Sequence, residues 1–166
     1  MIKGLKIGIF YLLFVFLMIQ SCDTTNYQFT PEQFVALKDS LGKKLVSQCS
    51  RTSPRGATQF FNLSESQKNT LHKNFKKVYT LEPEEDAFKD LKITSFDESI
   101  FQYVGLIYND KKYIYINAFP EELIKRTNHD WKRYPVTGCD GGPHFWGVLF
   151  DIDDERFFDL YMNGPR

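Results

Sequence analysis

The runs Ile100-Phe101-Gln102-Tyr103-Val104-Gly105-Leu106-Ile107-Tyr108 and Tyr113-Ile114-Tyr115-Ile116-Asn117-Ala118-Phe119 flank the polar tetrapeptide Asn109-Asp110-Lys111-Lys112. Aromatic and β-branched residues dominate both runs, and such side chains suit a pleated, half-buried surface. The tetrapeptide is a turn signal, so residues 100–119 read as a β-hairpin. Downstream the extended period resumes. Phe145 to Asp151 and Arg156 to Asn163 form a second expected hairpin, turning at Asp153-Asp154, and a short helix starting at Pro120 is expected between the two.

Upstream of Leu91 the spacing is helical. Thr30-Pro31-Glu32-Gln33 reads as a helix start in which Thr30 caps, Pro31 suits the first turn and Gln33 closes a capping box. Phe34, Leu37, Leu41 and Leu45 fall on one stripe, which predicts a helix ending before Ser50, with Gly42 as a tolerated weakness. Arg51 to Gln59, with Pro54 and Gly56, is a loop. A second capping box at Ser64-Glu65-Ser66-Gln67 opens a helix whose Leu71, Phe75, Val78 and Tyr79 share a face, with His72 off that face and expected in solvent. The expected fold is α+β: amino-terminal helices packed on an antiparallel sheet of about four or five strands, in one domain over residues 30–166. The chain contains no internal repeat and no low-complexity linker.

The first 21 residues read differently. Lys3 and Lys6 precede an apolar run from Ile7 to Ile19 that stops at Gln20-Ser21-Cys22. This is the charged, apolar and cleavage order of a secretory signal. As a helix the run spans about 20 Å, short of the roughly 30 Å of a hydrocarbon core. Ile19-Gln20-Ser21-Cys22 resembles the lipobox of bacterial lipoproteins, with a branched apolar residue three before the cysteine and a small residue before it; Gln20 departs from the usual small residue. The resemblance implies cleavage after residue 21 and acyl chains on Cys22, with residues 22–29 as a tether. It also implies a domain in the periplasm or at the cell surface, fixed to the inner or the outer membrane. Several acyl chains hold a protein at a bilayer far more firmly than one.

Loss of Lys3 and Lys6 with the leader takes 21 basic residues to 19, against 21 acidic ones. No basic face argues for nucleic acid as a partner. Aromatic residues make up 16% of the chain, concentrated from Phe96 to Tyr161, and a β-rich core accounts for most of them. With Cys22 taken by lipid as the resemblance implies, Cys49 and Cys139 are the remaining pair, in a compartment where disulfides persist.

Chemistry is densest at Gly138-Cys139-Asp140-Gly141-Gly142-Pro143-His144-Phe145-Trp146-Gly147. A thiol nucleophile at Cys139 activated by His144 and turn amides is one reading; a tight turn feeding a strand, with Cys139 oxidised, is the other. His129, Asp130, Cys139, Asp140 and His144 lack the close pairs of structural zinc sites. Asp151-Ile152-Asp153-Asp154-Glu155 lacks the calcium-loop Gly and Glu, because Arg156 and Met162 stand in those places. No metal and no cofactor is expected. Cys139-Asp140-Gly141-Gly142 followed by Phe145-Trp146-Gly147-Val148 loosely resembles the carboxyl-terminal segment of small bacterial lipoproteins without an assigned activity, which implies that residues 139–164 form a unit.

The leading functional expectation is a lipid-anchored cell-envelope binding or interaction module. Its partners are the membrane and an envelope protein, peptide or glycan, and its candidate binding residues are Asp140, His144, Trp131 and Trp146. One alternative is a small envelope thiol hydrolase using Cys139 and His144; another is an inhibitor or immunity-type protein. An exposed Trp131 and Trp146 would form an aromatic platform for glycan or peptide.

Overall fold

A computed structural model of the chain describes residues 31–164 apart from residues 53 and 55. The expected leader, Cys22, the tether and the Thr30 cap lie outside the described residues. Six strands form one sheet: β1 (Phe34–Ala36), β2 (Gln59–Phe61), β3 (Ser99–Tyr108), β4 (Lys111–Pro120), β5 (Trp146–Asp151) and β6 (Arg156–Met162). Three α-helices accompany them: α1 (Gly42–Val46), α2 (Glu65–Asn74) and α3 (Glu121–Thr127). The sheet order is β1-β3-β4-β5-β6, with β2 also on the outer side of β3. Two three-residue strands, β1 and β2, raise the strand count above the expected four or five.

Both predicted hairpins form. β3 and β4 pair from Ser99↔Pro120 to Tyr108↔Lys111, so the turn is Asn109-Asp110 alone, and Lys111 and Lys112 belong to β4. Asn109 and Asp110 both take positive φ, 49° and 61°, the geometry that twists with the strands in a two-residue hairpin and that Asn and Asp tolerate. At the second hairpin Asp151 Oδ1 accepts the backbone N–H groups of Asp153 at 3.0 Å and Asp154 at 3.1 Å, and Glu155 supplies the positive φ of 48°. Helix α2 starts at the predicted capping box: Ser64 accepts from Gln67 N and Gln67 accepts from Ser64 N. Helix α3 follows Pro120 as predicted.

Of the helix expected from Thr30 to before Ser50, only the five-residue α1 forms among the described residues. A 3₁₀ turn at Pro31–Gln33 leads into β1, which lies parallel to β3 in the register Phe34↔Phe101 to Ala36↔Tyr103. The edge of β3 offers unpaired backbone groups to residues 34–36, and Phe34 stacks on Phe101 at 4.7 Å. That gain outweighs a helix carrying a glycine at its centre. The apolar stripe is buried all the same, since Leu37 and Leu45 sit in the core.

Side-chain alternation splits the sheet into two buried faces. Phe101, Tyr103, Ile114, Ile116, Ala118, Trp146, Val148 and Phe150 point to one face, beneath Leu71, Phe75 and Val78 and the 88–96 segment. Val104, Leu106, Tyr113, Tyr115 and Leu149 point to the other, beneath Leu37 and Leu45. His72 is half-buried rather than solvated. Its ring lies 4.8 Å from Phe34 and its Nε2 is 3.2 Å from the Tyr103 hydroxyl. Burial, reinforced by Lys68, lowers the His72 pKa, and burial pushes the Tyr103 hydroxyl up to about 12.

The outer edge of β6 is covered rather than left open. Asp159, at φ 53°, breaks the strand's regular course. The Glu84 backbone N–H donates to Leu160 O at 2.9 Å, and the Glu85 carboxylate accepts from Met162 N at 3.3 Å. Such devices keep an edge strand from pairing with another chain.

Burial raises the Glu85 pKa, outweighing the Met162 hydrogen bond and the Arg51 charge that lower it. A raised carboxyl pKa means that Glu85 favours the fold below the ordinary carboxylate range and loses that contribution as pH rises through its elevated value. Glu85→Gln keeps an acceptor for Met162 without the charge. Thermal melts should show E85Q above the parent at pH 7 and level with it at pH 4; an unchanged difference across that range refutes the assignment.

Candidate functional site

The second face of the sheet carries two polar side chains, Gln102 on β3 and Asn117 on β4, where its neighbours are apolar. They explain how the irregular 128–145 segment lies across a sheet without wasting backbone hydrogen bonds. Gln102 Nε2 donates to Trp131 O and to Tyr134 O at 2.8 Å, and its Oε1 accepts from Val136 N at 2.8 Å. Asn117 Nδ2 donates to Val136 O at 3.0 Å. Gln48 reaches the same segment from the loop after α1, donating to Val136 O at 3.2 Å and accepting from Gly138 N at 3.0 Å. Each amide satisfies buried main-chain groups that the segment cannot pair within itself.

Arg51 stands at the centre of this layer, 7% exposed. Its Nε donates to Asn163 Oδ1 at 2.7 Å, and its Nη1 donates to Asn117 Oδ1 at 2.7 Å and to the Tyr115 hydroxyl at 2.9 Å. Nη2 is buried with no hydrogen-bond partner among the described residues. The guanidinium lies over Gly147, where an added Cβ would come within 2.8 Å of Nη1 and 2.6 Å of the Tyr115 hydroxyl. Glycine there makes room for the arginine.

The glycine-rich stretch wraps around the other end of Asn163. Asn163 Nδ2 donates to Gly138 O at 3.2 Å and to Asp140 O at 2.9 Å, while Asn163 N donates to Phe145 O at 2.8 Å. Gly141, at φ 104°, turns the chain where a Cβ would overlap the Phe145 ring. Cys139 is joined to Cys49 across 90 residues, with a Cα separation of 4.8 Å. Closing such a loop restricts the unfolded chain by about 4 to 5 kcal/mol on entropy grounds. The expected pair is therefore bonded, and the Cys139 sulfur that a thiol hydrolase needs is occupied.

The remaining candidates separate. Asp140 contributes its backbone carbonyl to the Asn163 cradle and keeps its side chain in solvent. Trp146 is 3% exposed and packs with Phe96 and Phe101, which removes it from any exposed aromatic platform. It does reach the floor of a cleft of about 510 Å³, together with Met162, between the 91–99 segment and the exposed Pro143-His144 turn. Trp131 is half-buried and borders a neighbouring cleft of about 610 Å³ with Glu32, Glu121 and Lys132. Asp97 and Ser99 line both clefts, so the two flank one segment at the end of the sheet where β3 begins and β4 ends. Among the described residues no three His, Cys, Asp or Glu side chains converge as a metal site.

Sequence reading passed over Arg51, Gln48 and Asn163. The available signal was Gln102 and Asn117, each an amide inside an apolar strand. Comparison with known protein families, characterised proteins and solved structures found no match to this chain.

Asn163→Ala removes two donors to the 138–140 backbone and the acceptor for Arg51 Nε, leaving a buried guanidinium further unpaired. The loss should be about 2 to 3 kcal/mol, read from urea unfolding of the disulfide-intact protein. A change below a few tenths of a kcal/mol would contradict the network's structural role.

Proposed function

We propose that the protein is a lipid-anchored cell-envelope binding module, held to a membrane through Cys22, which takes a peptide or glycan in the cleft between the 91–99 segment and the Pro143-His144 turn. The observation that carries the binding half is the make-up of that cleft. Ile93, Met162 and the edge of Trp146 give it an apolar floor, while Thr94, Ser95, Asp97 and His144 supply donors and acceptors around the rim. Apolar surface with a few convergent polar groups is the usual composition of a ligand site. The anchoring half rests on the lipobox-like Ile19-Gln20-Ser21-Cys22.

The disulfide favours binding over thiol chemistry, because a sulfur bonded to Cys49 is no nucleophile. The turn that presents His144 is held by Asn163 and Gly164 from the far end of the chain, so the rim is fixed before a ligand arrives. Such preorganisation lowers the entropy cost of binding.

Cys22→Ala should abolish the mass gain from acylation and shift the protein from sedimenting vesicles to the supernatant. Unchanged processing and sedimentation refute the anchor. For the cleft, solubilised envelope glycan fragments and a peptide digest, titrated separately, should perturb the NMR signals of His144 and Ser95, and His144→Ala with Asp97→Ala should weaken that response at least tenfold. Perturbation confined to other surfaces refutes the assignment of this cleft.

A further inference from the structure

The segment from Lys125 to Tyr134 carries Lys125, Arg126, Lys132 and Arg133 against a single acid, Asp130. Residues 68–77 are as basic, with four lysines and no acid, but their one phenyl ring, Phe75, is buried. Its cations are held loosely. Arg133 is 80% exposed and lies 3.7 Å from Asp130, and Lys125 is 67% exposed beside Glu121. Exposed pairs of this kind contribute little and exchange partners readily. Two aromatic residues sit among these charges. Tyr134 is 55% exposed, an unusual state for a large apolar ring in this protein, and Lys132 Nζ lies 5.6 Å from the centre of the half-buried Trp131 ring.

Gln102 clamps the backbone carbonyls of Trp131 and Tyr134 to the sheet, so both aromatics are presented from a fixed base. The patch also lies where the described chain begins. Glu32 lines the same cleft as Trp131 and Lys132, and Gln33 Nε2 donates to Phe96 O and Ser99 O at 3.0 Å each. Glu32 lies ten positions after Cys22, a reach of at most about 35 Å when extended.

We infer that the Lys125–Tyr134 surface docks on an anionic lipid bilayer, with Trp131 and Tyr134 at headgroup depth and the four cations on lipid phosphates. Aromatic rings with one polar edge settle at that depth, and long basic side chains reach phosphates from it. Of the acids that line the same cleft, Glu121 pairs with Lys125 at 2.8 Å, and Glu32 and Asp97 keep the rest of the cleft from adding to the cationic surface. Docking goes beyond the proposed anchor and needs no acyl chain, so it is tested without one.

Protein beginning at Asp23, which retains the whole described core from Phe34 to Met162, is mixed with phosphatidylglycerol vesicles containing brominated acyl chains. Quenching of tryptophan fluorescence is expected, with quenching lost in Trp131→Phe because Trp146 is buried. Lys132→Gln with Arg133→Gln should lower partitioning about twenty-five-fold, at roughly fivefold per cation near an anionic surface, and 0.5 M salt should lower it similarly. Equal partitioning onto phosphatidylcholine, quenching that survives Trp131→Phe, or a Trp131 response to soluble glycan fragments but not to vesicles overturns the inference. None of these outcomes depends on acylation at Cys22, which the Cys22→Ala experiment reads separately.

Discussion

β3 and β4 pair over ten residues and lie in the middle of the sheet, with side chains buried on both sides from Ile100 to Leu106 and from Tyr113 to Phe119. An antiparallel sheet that buries both faces needs two covers, because either face left bare exposes a large apolar patch. α2 and the turn after it cover one face with Leu71, Phe75 and Val78. Among the described residues no long helix lies on the second face, and short pieces cover it: Leu37, α1, the 48–51 loop and the 128–145 segment. Much of the remaining architecture follows from covering a sheet with irregular chain.

Irregular chain carries backbone groups that cannot pair within itself, so its cover must be satisfied from outside. Gln48, Gln102, Asn117 and Asn163 meet that need, each with the acceptor and donor ends of its amide both in use. Arg51 links Asn117 to Asn163, and the Cys49–Cys139 bond closes the same layer two residues away. A buried guanidinium whose hydrogen-bond acceptors among the described residues are neutral is costly even with the Glu85 charge acting on it, and its Nη2 adds to that cost. The network therefore serves to specify how the cover lies rather than to add net stability. The disulfide, acting through the unfolded chain, offsets part of the cost.

Much of this was legible where the signal is local. Asn109-Asp110, Asp153-Asp154 and Ser64-Glu65-Ser66-Gln67 each satisfy their own neighbours, so their turn and cap chemistry can be read in a few residues. Phe34 to Ala36 could not be read that way. The stripe formed by Phe34, Leu37, Leu41 and Leu45 is compatible with a helix, and only the edge of β3, more than 60 residues downstream, makes a strand the better choice. His72 followed the same logic: it is off the stripe of α2, yet β1 brings Phe34 against it. Trp146 was read inside the 145–151 strand, but alternation alone does not say which face meets a cover, and its pairing with Ala118 and Met162 on the face beneath α2 puts it in the core. Arg51 lay in a stretch read as solvent loop, and nothing beside it in sequence announces its partners.

The direction of the strands gives the molecule two unlike ends. The turns at Asn109-Asp110 and Asp153-Asp154 close one end. At the other lie the start of β1, both clefts, α3 and the Trp131 loop, because β1 runs parallel to β3 and both begin there. The parallel pairing of three residues thus brings the described chain in at the end of the sheet that carries both clefts and the basic aromatic surface, opposite the hairpin turns.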